Sequence, residues 1–342
     1  MERLVTDMTE TEILFDLLEK GISPAHAVSA CEKRLTDAGF EVVDYGTAWN
    51  LKAGGKYVVN HHETTLFAFT LPQNWSDREP AIRIAAAHTD FPCLRIKPSC
   101  DIQTNGYAQV NVEVYGGAIL NTWLDRPLGV AGRVAVRSGD VFTPKVVTFQ
   151  SEKNLMTIPN LAIHMNREVN KGVELNKQTE LLPICGLSDD ADYFLDFLVK
   201  ELAVKKEDIL DFELTIYNKE KPEFVGLNDE FISASRLDNL NSCSALVSAI
   251  IESDRADGMN LIALFDHEEI GSRSKQGAGS ILLHDMLVRI LTECGLEKEV
   301  WNRLYNSMIL SVDVAHGLHP NYAGKMDLTN KPVLGKIGRA HV

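Results

Sequence analysis

The chain has 342 residues, of which 45% are apolar and 24% charged, an ordinary globular composition that excludes a collagen-like, low-complexity or disordered protein. Its 34 basic and 48 acidic residues give a formal net charge of -14, which disfavours nucleic acid and anionic membrane surfaces as partners. A chain of this length predicts one large or two medium domains.

Location and redox state follow from two further features of composition. No stretch approaches the roughly 18 consecutive apolar residues of a membrane span, and the N-terminal residues lack the layout of a secretion signal. We therefore expect a soluble, cytoplasmic protein. The six cysteines are scattered without CxxC spacing, which indicates small buried hydrophobic residues rather than disulfides or a thiolate zinc site.

The N-terminal part predicts two helices and then strands. Thr9 or Thr11 is a candidate cap for the first helix, Ser23–Pro24 is typical of the start of a second, and Gly39 is suited to its end. Buried strands are predicted at Tyr57–Val59, Thr65–Thr70 and Ala81–Ala87.

The middle of the chain predicts short alternating strands with one helix around Asp190–Glu201. The predicted strands are Ala108–Val114, Gly132–Val136, Lys145–Phe149 and Phe212–Ile216. After residue 233, long helices and strands alternate again. These elements are the helices Asn241–Ser253 and Ser280–Thr292 and the strands Leu261–Phe265 and Met308–Val312.

Alternating strands and helices at both ends of the chain predict an α/β fold, with a mostly parallel sheet covered by helices on both faces. The β-rich middle then indicates an inserted domain. We expect residues 1–92 and 233–342 to form a discontinuous α/β domain and residues 93–232 the insertion.

Polar side chains follow three of the predicted apolar strands. His88 and Asp90 follow the first, Glu268 and Glu269 the second, and Asp313 the third; Asp238 precedes a helix. Ligands bind beyond the carboxyl ends of the strands in open α/β sheets, so these groups should converge at one edge. Histidine together with carboxylates indicates a metal site.

The spacing of these residues indicates the role of each in the metal site. Residues two apart in extended chain face the same side, so Asp90 can orient His88 as a metal ligand. Adjacent residues face opposite sides, so one of Glu268 and Glu269 can bind metal while the other acts as general base for hydrolysis. Taken singly, each residue also has a structural interpretation, such as a helix cap for Asp238 or a turn for Asp313. Three strands ending in ligand-type residues favour the metal site.

Several segments together resemble the aspartyl aminopeptidase family, the M18 metallopeptidases. They are Ala87–Asp90, Ser235–Asn239, Phe265–Ser272, Val312–His316 and His319–Tyr322, with the Gly-Gly-x-x-x-x-Thr-Trp-x-Asp-Arg motif at Gly116–Arg126. The resemblance covers about residue 10 to residue 335 and implies a zinc-aminopeptidase-type sheet interrupted by a β-rich dimerisation domain. The related M42 and M20 families share part of the pattern, and an M42-like broad or glutamyl aminopeptidase is the alternative.

The resemblance also implies residue roles. His88, Asp238 and Asp313 would bind one zinc ion, Asp238 would bridge to a second zinc held by Glu269, and Glu268 would be the general base. The list of catalytic residues is completed by Asp90 and by His164, which by resemblance would enter the active site of a neighbouring subunit. His316 and His319 either line the substrate pocket or are structural, and Asp125 is interpreted as a turn residue.

The family implies a metalloaminopeptidase that removes N-terminal residues, preferentially Asp or Glu, from peptides by means of a hydroxide activated between two zinc ions. Co2+ or Mn2+ could replace Zn2+. The expected partners are peptide substrates and further copies of the chain, in a dodecamer built from dimers.

The C-terminal end departs from the family pattern. Family members continue after the position of Gly335 through a stretch that supplies a last zinc-ligand histidine and a substrate-binding lysine, whereas here Lys336–Val342 closes the chain, and His341 is not assigned as a ligand. We therefore expect a C-terminally truncated member that holds the zinc at His88 and Asp313 better than the zinc at Glu269. We also expect exposed apolar surface that favours aggregation. A catalytically incomplete subunit or gene fragment is the second alternative.

Overall fold

The computed structural model describes residues 8–75, 81–172, 174–253 and 255–335. Its α-helices are α1 (Glu10–Lys20), α2 (Pro24–Asp37), α3 (Tyr193–Leu202), α4 (Leu237–Glu252), α5 (Leu282–Glu293) and α6 (Val300–Tyr305). Its strands are β1 (Glu41–Val42), β2 (Lys56–His61), β3 (Thr65–Thr70), β4 (Ile82–His88), β5 (Cys93–Thr104), β6 (Tyr107–Tyr115), β7 (Leu128–Val136), β8 (Lys145–Gln150), β9 (Ile184–Leu187), β10 (Ile209–Asn218), β11 (Glu223–Val225), β12 (Phe231–Ser233), β13 (Met259–Phe265) and β14 (Met308–Ser311).

The first sheet has the strand order β1-β2-β3-β13-β4-β14. Its pairings β1–β2, β13–β4 and β4–β14 are parallel, and both antiparallel pairings involve β3. Parallel neighbours place the carboxyl ends of β13, β4 and β14 at the same edge of the sheet. The mostly parallel α/β sheet expected from the sequence is confirmed.

Helices cover both faces of the first sheet. On one face, α1, α2 and α4 pack against side chains such as Val58, Leu66 and Ile262. On the other, α5 and α6 pack against alternating residues of the same strands, including Phe67 and Ala263. Because neighbouring residues of β3 are buried on opposite sides, the whole strand is an uninterrupted apolar run, as expected for a strand inside an α/β layer.

The second sheet is antiparallel, with the order β8-β7-β10-β5-β6-β9, and its core includes residues of α3. Its strands come from residues 93–218, between the strands β4 and β13 of the first sheet. The buried side chains of β6 alternate with more exposed ones, which is the pattern of a sheet with a single covered face. The domain limits at residues 92 and 233 remain a prediction.

Local signals in the sequence account well for the helix ends. Thr9 caps α1 through a capping box with Glu12, and Ser23 accepts a hydrogen bond from the backbone N–H of His26 at the start of α2. Gly39 follows the end of α2 with a φ of 87°, a conformation that favours glycine. Neither the helix α6 nor the strands β1, β5, β9, β11 and β12 were predicted from the sequence.

The cysteines and the membrane prediction have direct structural counterparts. All six cysteines are free thiols, and Cys31, Cys93, Cys100 and Cys243 are buried, as expected for small apolar residues. Within the described residues, no helix combines the length and the apolar character that crossing a membrane would require.

Candidate metal centre

His88 lies at the last position of strand β4, between β13 and β14, and is only 4% exposed. Its Nδ1 atom lies 3.0 Å from the backbone carbonyl oxygen of Asp90, and 3.4 Å from the Oδ1 atom of the same residue. The contact to the carbonyl requires Nδ1 to carry the proton. The Nε2 atom, on the other side of the ring, is then the atom that can bind either a proton or a metal ion.

Two carboxylates from different elements face this nitrogen. Asp238, at the start of α4, places Oδ1 3.3 Å from Nε2, and Asp313, just after β14, places Oδ1 3.4 Å from it. Both carboxylates are about half exposed, with 53% of each side chain accessible. The ligand atoms of His88, Asp238 and Asp313 all lie within 4.8 Å of one another.

This arrangement fits a metal ion. Nε2 of His88 is buried, yet it meets no hydrogen-bond geometry with any partner in the part of the chain that the structure describes. A buried nitrogen without a hydrogen bond is costly, and a zinc ion coordinated by imidazole and carboxylates would satisfy it. His88, Asp238 and Asp313 therefore have the atoms and the convergence that a zinc ion requires.

The charges around His88 act in the same direction. Burial lowers the pKa of His88, but the carboxylates of Asp238 and Asp90 more than offset this effect and raise it to about 11. Burial alone would raise the pKa of Asp90, whereas contacts with His88 and Tyr115 lower it overall. The carboxylates thus give the centre a negative electrostatic potential, which favours a cation at His88, either a proton or a metal ion.

The carboxylate of Asp90 is fully buried and accepts three further hydrogen bonds. Its Oδ1 accepts from the backbone N–H of Glu268 at 3.1 Å, and its Oδ2 accepts from that of Glu269 at 3.1 Å. The Tyr115 hydroxyl donates to Oδ2 at 2.7 Å. Asp90 therefore supports the loop that carries the two glutamates in addition to contacting His88.

Glu268 and Glu269 lie in a short 3-10 turn, Glu268–Ile270, that follows β13. Oε2 of Glu268 lies 3.8 Å from Nε2 of His88, so its carboxylate borders the proposed zinc position. The Glu269 carboxylate accepts a hydrogen bond from the Gly117 N–H at 3.4 Å. Burial, together with the charges of Asp238 and Asp90, raises the pKa of Glu269. The two side chains thus have different surroundings.

The remaining candidates lie apart from this group. His164 is exposed in a turn and does not belong to the group of His88, Asp238 and Asp313. His316 and His319 are also exposed, and Nδ1 of His319 accepts a hydrogen bond from the backbone N–H of Asn321 at 3.2 Å. Asp125 has a φ of 58° and accepts a hydrogen bond from the Asn160 N–H at 2.8 Å, in keeping with a turn residue. His341 lies outside the described residues.

Sequence reasoning missed the residues that support the centre from neighbouring elements. Besides Tyr115 and Gly117, the Cys243 thiol donates to the backbone carbonyl of His88 at 3.0 Å. The Asn239 side chain donates to the backbone carbonyl of Val312 at 3.0 Å, which joins the start of α4 to the end of β14. A signal for Asn239 was its place next to Asp238, whereas the tyrosine and the cysteine had none.

Fold and centre together define a metallohydrolase of the zinc-peptidase type. Comparison with known proteins agrees: the model of the M18 family, aminopeptidase I zinc metalloprotease, matches residues 17–338. A probable M18 family aminopeptidase 2 of Clostridium novyi is 41% identical over 329 residues, covering 94% of this chain and 76% of the relative.

Solved structures give the same result. A chain of the Ape4 and Nbr1 complex is 32% identical, with a TM-score of 0.87, and the match covers 98% of this chain and 70% of that one. The mApe1 dodecamer of S. cerevisiae, 24% identical, has the same fold, with a TM-score of 0.75 over 95% of this chain and 75% of that one.

The chain therefore belongs to the M18 family of aminopeptidases, and it is a zinc metalloaminopeptidase, a hydrolase, by that membership. The resemblance found in the sequence is confirmed, and the family is M18 rather than M42. The broad or glutamyl specificity of the M42-like alternative is not tested by these comparisons. Residues 336–342, from which the truncation was inferred, lie outside the described residues.

Proposed function

We propose that the chain removes acidic N-terminal residues from peptides at a centre of two zinc ions. The observation that carries the proposal is the convergence of His88, Asp238 and Asp313 on one buried nitrogen without a hydrogen bond. His88 and Asp313 would hold the first zinc, Asp238 would bridge to the second, and Glu269 would hold the second from the other side.

Zinc bound there would polarise the scissile carbonyl and lower the pKa of a water molecule. Glu268 is suited to the proton transfer because its carboxylate is half exposed and lies beside the metal position. It would accept a proton from the attacking water and then donate it to the amino group of the leaving peptide. Asp90 would keep Glu268 in place through the backbone N–H that it binds.

The two zinc ions should differ in affinity. The first position has three converging ligands, of which His88 is buried and oriented through its Nδ1 atom. The second position has two of the proposed ligands, Asp238 and Glu269, within the part of the chain that the structure describes. A site with fewer protein ligands binds its metal more weakly. We therefore expect one tightly held zinc, while the second requires a higher zinc concentration.

The charge of Arg236 next to the centre supports the preference for acidic residues. A cavity of about 790 Å³ borders Asp238 and is lined by Arg126, Lys221 and Arg236, and also by Glu220 and Glu223. Arg126 is paired with Glu220 and Lys221 with Glu19. Arg236 makes no ion pair within the described ranges, and its terminal nitrogens donate to the backbone carbonyls of Leu18 and Asn218 and to the Ser235 hydroxyl. Its positive charge therefore has no carboxylate partner there and favours an anionic group in the cavity.

The exposed position of His164 suits a role between subunits. The side chains of Leu161, Ile163 and Met165 beside it are 51%, 48% and 75% exposed. Such an apolar segment is typical of a surface that another subunit covers. We propose that residues 93–232 form an inserted dimerisation domain and that His164 enters the active site of a second copy, in a homo-oligomer. The dodecamer of the yeast protein is in keeping with this proposal.

A panel of aminoacyl p-nitroanilides tests the reaction. With zinc, manganese or cobalt added, the chain should hydrolyse the Asp and Glu substrates faster than the Leu and Lys substrates. Glu268→Gln should lower kcat by about 10²- to 10⁴-fold, because it removes the base without removing a zinc ligand. Glu297→Gln, at an exposed position, is the control and should leave kcat unchanged.

Zinc titration by equilibrium dialysis belongs to the same experiment. One tight equivalent and one weaker equivalent per chain are expected. Two equally tight equivalents would contradict the unequal sites, and no bound zinc would contradict the centre. Zinc binding without hydrolysis of any substrate would favour the catalytically incomplete subunit.

A further inference from the structure

The end of β6 and the two residues after it reach the loop that carries Glu268 and Glu269, Tyr115 through Asp90 and the two glycines directly. We call Tyr115, Gly116 and Gly117 the β6 clamp. Tyr115 donates its hydroxyl to Oδ2 of Asp90 at 2.7 Å, and the Gly117 N–H donates to the Glu269 carboxylate at 3.4 Å. Between them, Gly116 lies directly against the Glu269 side chain.

Gly116 is required at its position for two reasons. Its φ of 70° lies in the left-handed region that favours glycine. A Cβ atom added there would lie 2.7 Å from Oε2 and 2.9 Å from Cβ of Glu269. The Cβ atom of Glu269 cannot move without its backbone, so any larger residue would displace the glutamate or the loop that carries it.

Tyr115 acts on the same loop through Asp90. The Asp90 carboxylate accepts the backbone N–H groups of both Glu268 and Glu269, and Tyr115 binds the oxygen that faces Glu269. Tyr115 is itself held in place, because the Arg95 guanidinium lies over its ring at 3.9 Å and is paired with Glu213 at 3.1 Å. A rigid donor from the second sheet thus fixes a carboxylate buried in the first.

We propose that the β6 clamp is a positioning element for the second zinc site: it sets the place of Glu269 without touching metal or substrate. This inference rests on the proposed role of Glu269 as a zinc ligand. Groups that orient metal ligands typically change metal affinity or activity by about 10- to 100-fold when they are removed. The second sheet would therefore control a property of the centre to which it contributes no proposed ligand.

A matched pair of glycine variants tests the clamp. Gly106, in the turn between β5 and β6, has a φ of 83° and no atom within 4 Å of an added Cβ. Gly106→Ala and Gly116→Ala therefore share the backbone strain, but only Gly116→Ala displaces Glu269. Both should lower the melting temperature, Gly116→Ala by more, because its Cβ atom also meets Glu269. Only Gly116→Ala should weaken the second zinc equivalent, by about tenfold or more in competition with a chromogenic chelator.

A second pair keeps the test informative if Gly116→Ala does not fold. Tyr115→Phe removes only the hydroxyl, and Tyr107→Phe makes the same change on an exposed side chain at the other end of β6. Tyr115→Phe should lower zinc affinity at the second site and lower kcat with little change in KM. In the zinc-free protein it should also speed up amide hydrogen exchange at Glu268 and Glu269, a measurement that does not depend on activity.

The positioning role of the β6 clamp is contradicted if Tyr115→Phe and Gly116→Ala change only the melting temperature and leave zinc affinity and amide exchange unaltered. Failure of the proposed function looks different, because then the unmodified chain itself binds no zinc or hydrolyses no substrate. Amide exchange still reports whether the clamp holds the loop in that case. The two failures are therefore distinguishable.

Discussion

The two sheets of the molecule are built on different principles. In the first, β3 is buried along its whole length between two layers of helices. In the second, the buried residues of β6 alternate with more exposed ones. The proposed ligands follow strands or begin a helix of the first sheet, whereas the second provides Tyr115 and Gly117 as support. On the proposed assignment, the doubly covered sheet carries the metal ligands, while the second sheet supports them from one end.

The largest expected effect is a loss of unfolding free energy when buried side chains of β3 are truncated. Leu66 and Phe67 are neighbours on β3, both fully buried, and they pack on opposite faces of the sheet. Leu66→Ala and Phe67→Ala should each lower the free energy of unfolding by about 2 to 5 kcal/mol, because each leaves a cavity in a separate core. Urea denaturation followed by circular dichroism measures both.

The matched pair on the second sheet is Val112 and Glu113, neighbours on β6. Val112 is 2% exposed, whereas Glu113 is exposed to solvent. Val112→Ala should be clearly destabilising, while Glu113→Ala should stay within about 0.5 kcal/mol of the unmodified chain. Equal losses of unfolding free energy in Val112→Ala and Glu113→Ala would contradict this difference between the sheets. A negligible loss in Leu66→Ala or Phe67→Ala would contradict it as well.

The same contrast explains what could be predicted from the sequence. The strands β4, β13 and β14 could be predicted because each is an apolar run followed by polar residues. His88 and Asp313 could be predicted as site residues for the same reason. Strand β5 was missed because its twelve residues include charged and polar side chains and Pro98, so that neither alternation nor a continuous apolar run appears. Its position could be fixed only by pairing with β6 and β10, which are distant in sequence from each other.

The support of the centre was hidden for a related reason. Tyr115 directly follows a predicted strand, but nothing in the local pattern indicates that its hydroxyl reaches a carboxylate 25 residues earlier in the chain. The proposed ligands follow predicted strands, and this position predicts that they meet at one edge of a sheet. Contacts between two sheets depend on how the sheets are packed, and periodicity carries no information about that packing.

A smaller effect concerns the helices that cover the two sheets. The capping box of α1 joins the Thr9 side chain to the N–H of Glu12 and the Glu12 carboxylate to the N–H of Thr9. At the start of α3, which packs on the second sheet, the Asp192 side chain makes no such bond. Thr9→Ala should cost about 1 kcal/mol of unfolding free energy, and Asp192→Ala less. Thermal melts of the two variants compare them directly, and a larger loss for Asp192→Ala would contradict the assignment.

The last expected effect, which vanishes at neutral pH, is the response of the first sheet and its helices to acid. Burial lowers the pKa of His26, near the start of α2, from 6.5 to about 4, and its Nδ1 atom lies 2.8 Å from the Ser23 hydroxyl. The folded chain then binds fewer protons at this residue than the unfolded chain between about pH 6.5 and pH 4. The stability that neutral His26 provides is present above that range and is lost as the pH falls through it.

His26→Gln should therefore make the melting temperature less dependent on pH between about 6.5 and 4, because glutamine has no proton to bind there. His284→Gln, at an exposed position of α5, is the control and should leave the dependence unchanged. His61, on β2 of the same sheet, also has its pKa lowered to about 4, by burial and by the neighbouring His62 and Lys275. Part of the dependence should thus persist in His26→Gln and become smaller still in the double variant with His61→Gln. If the double variant keeps the full dependence, neither His26 nor His61 contributes to the acid sensitivity.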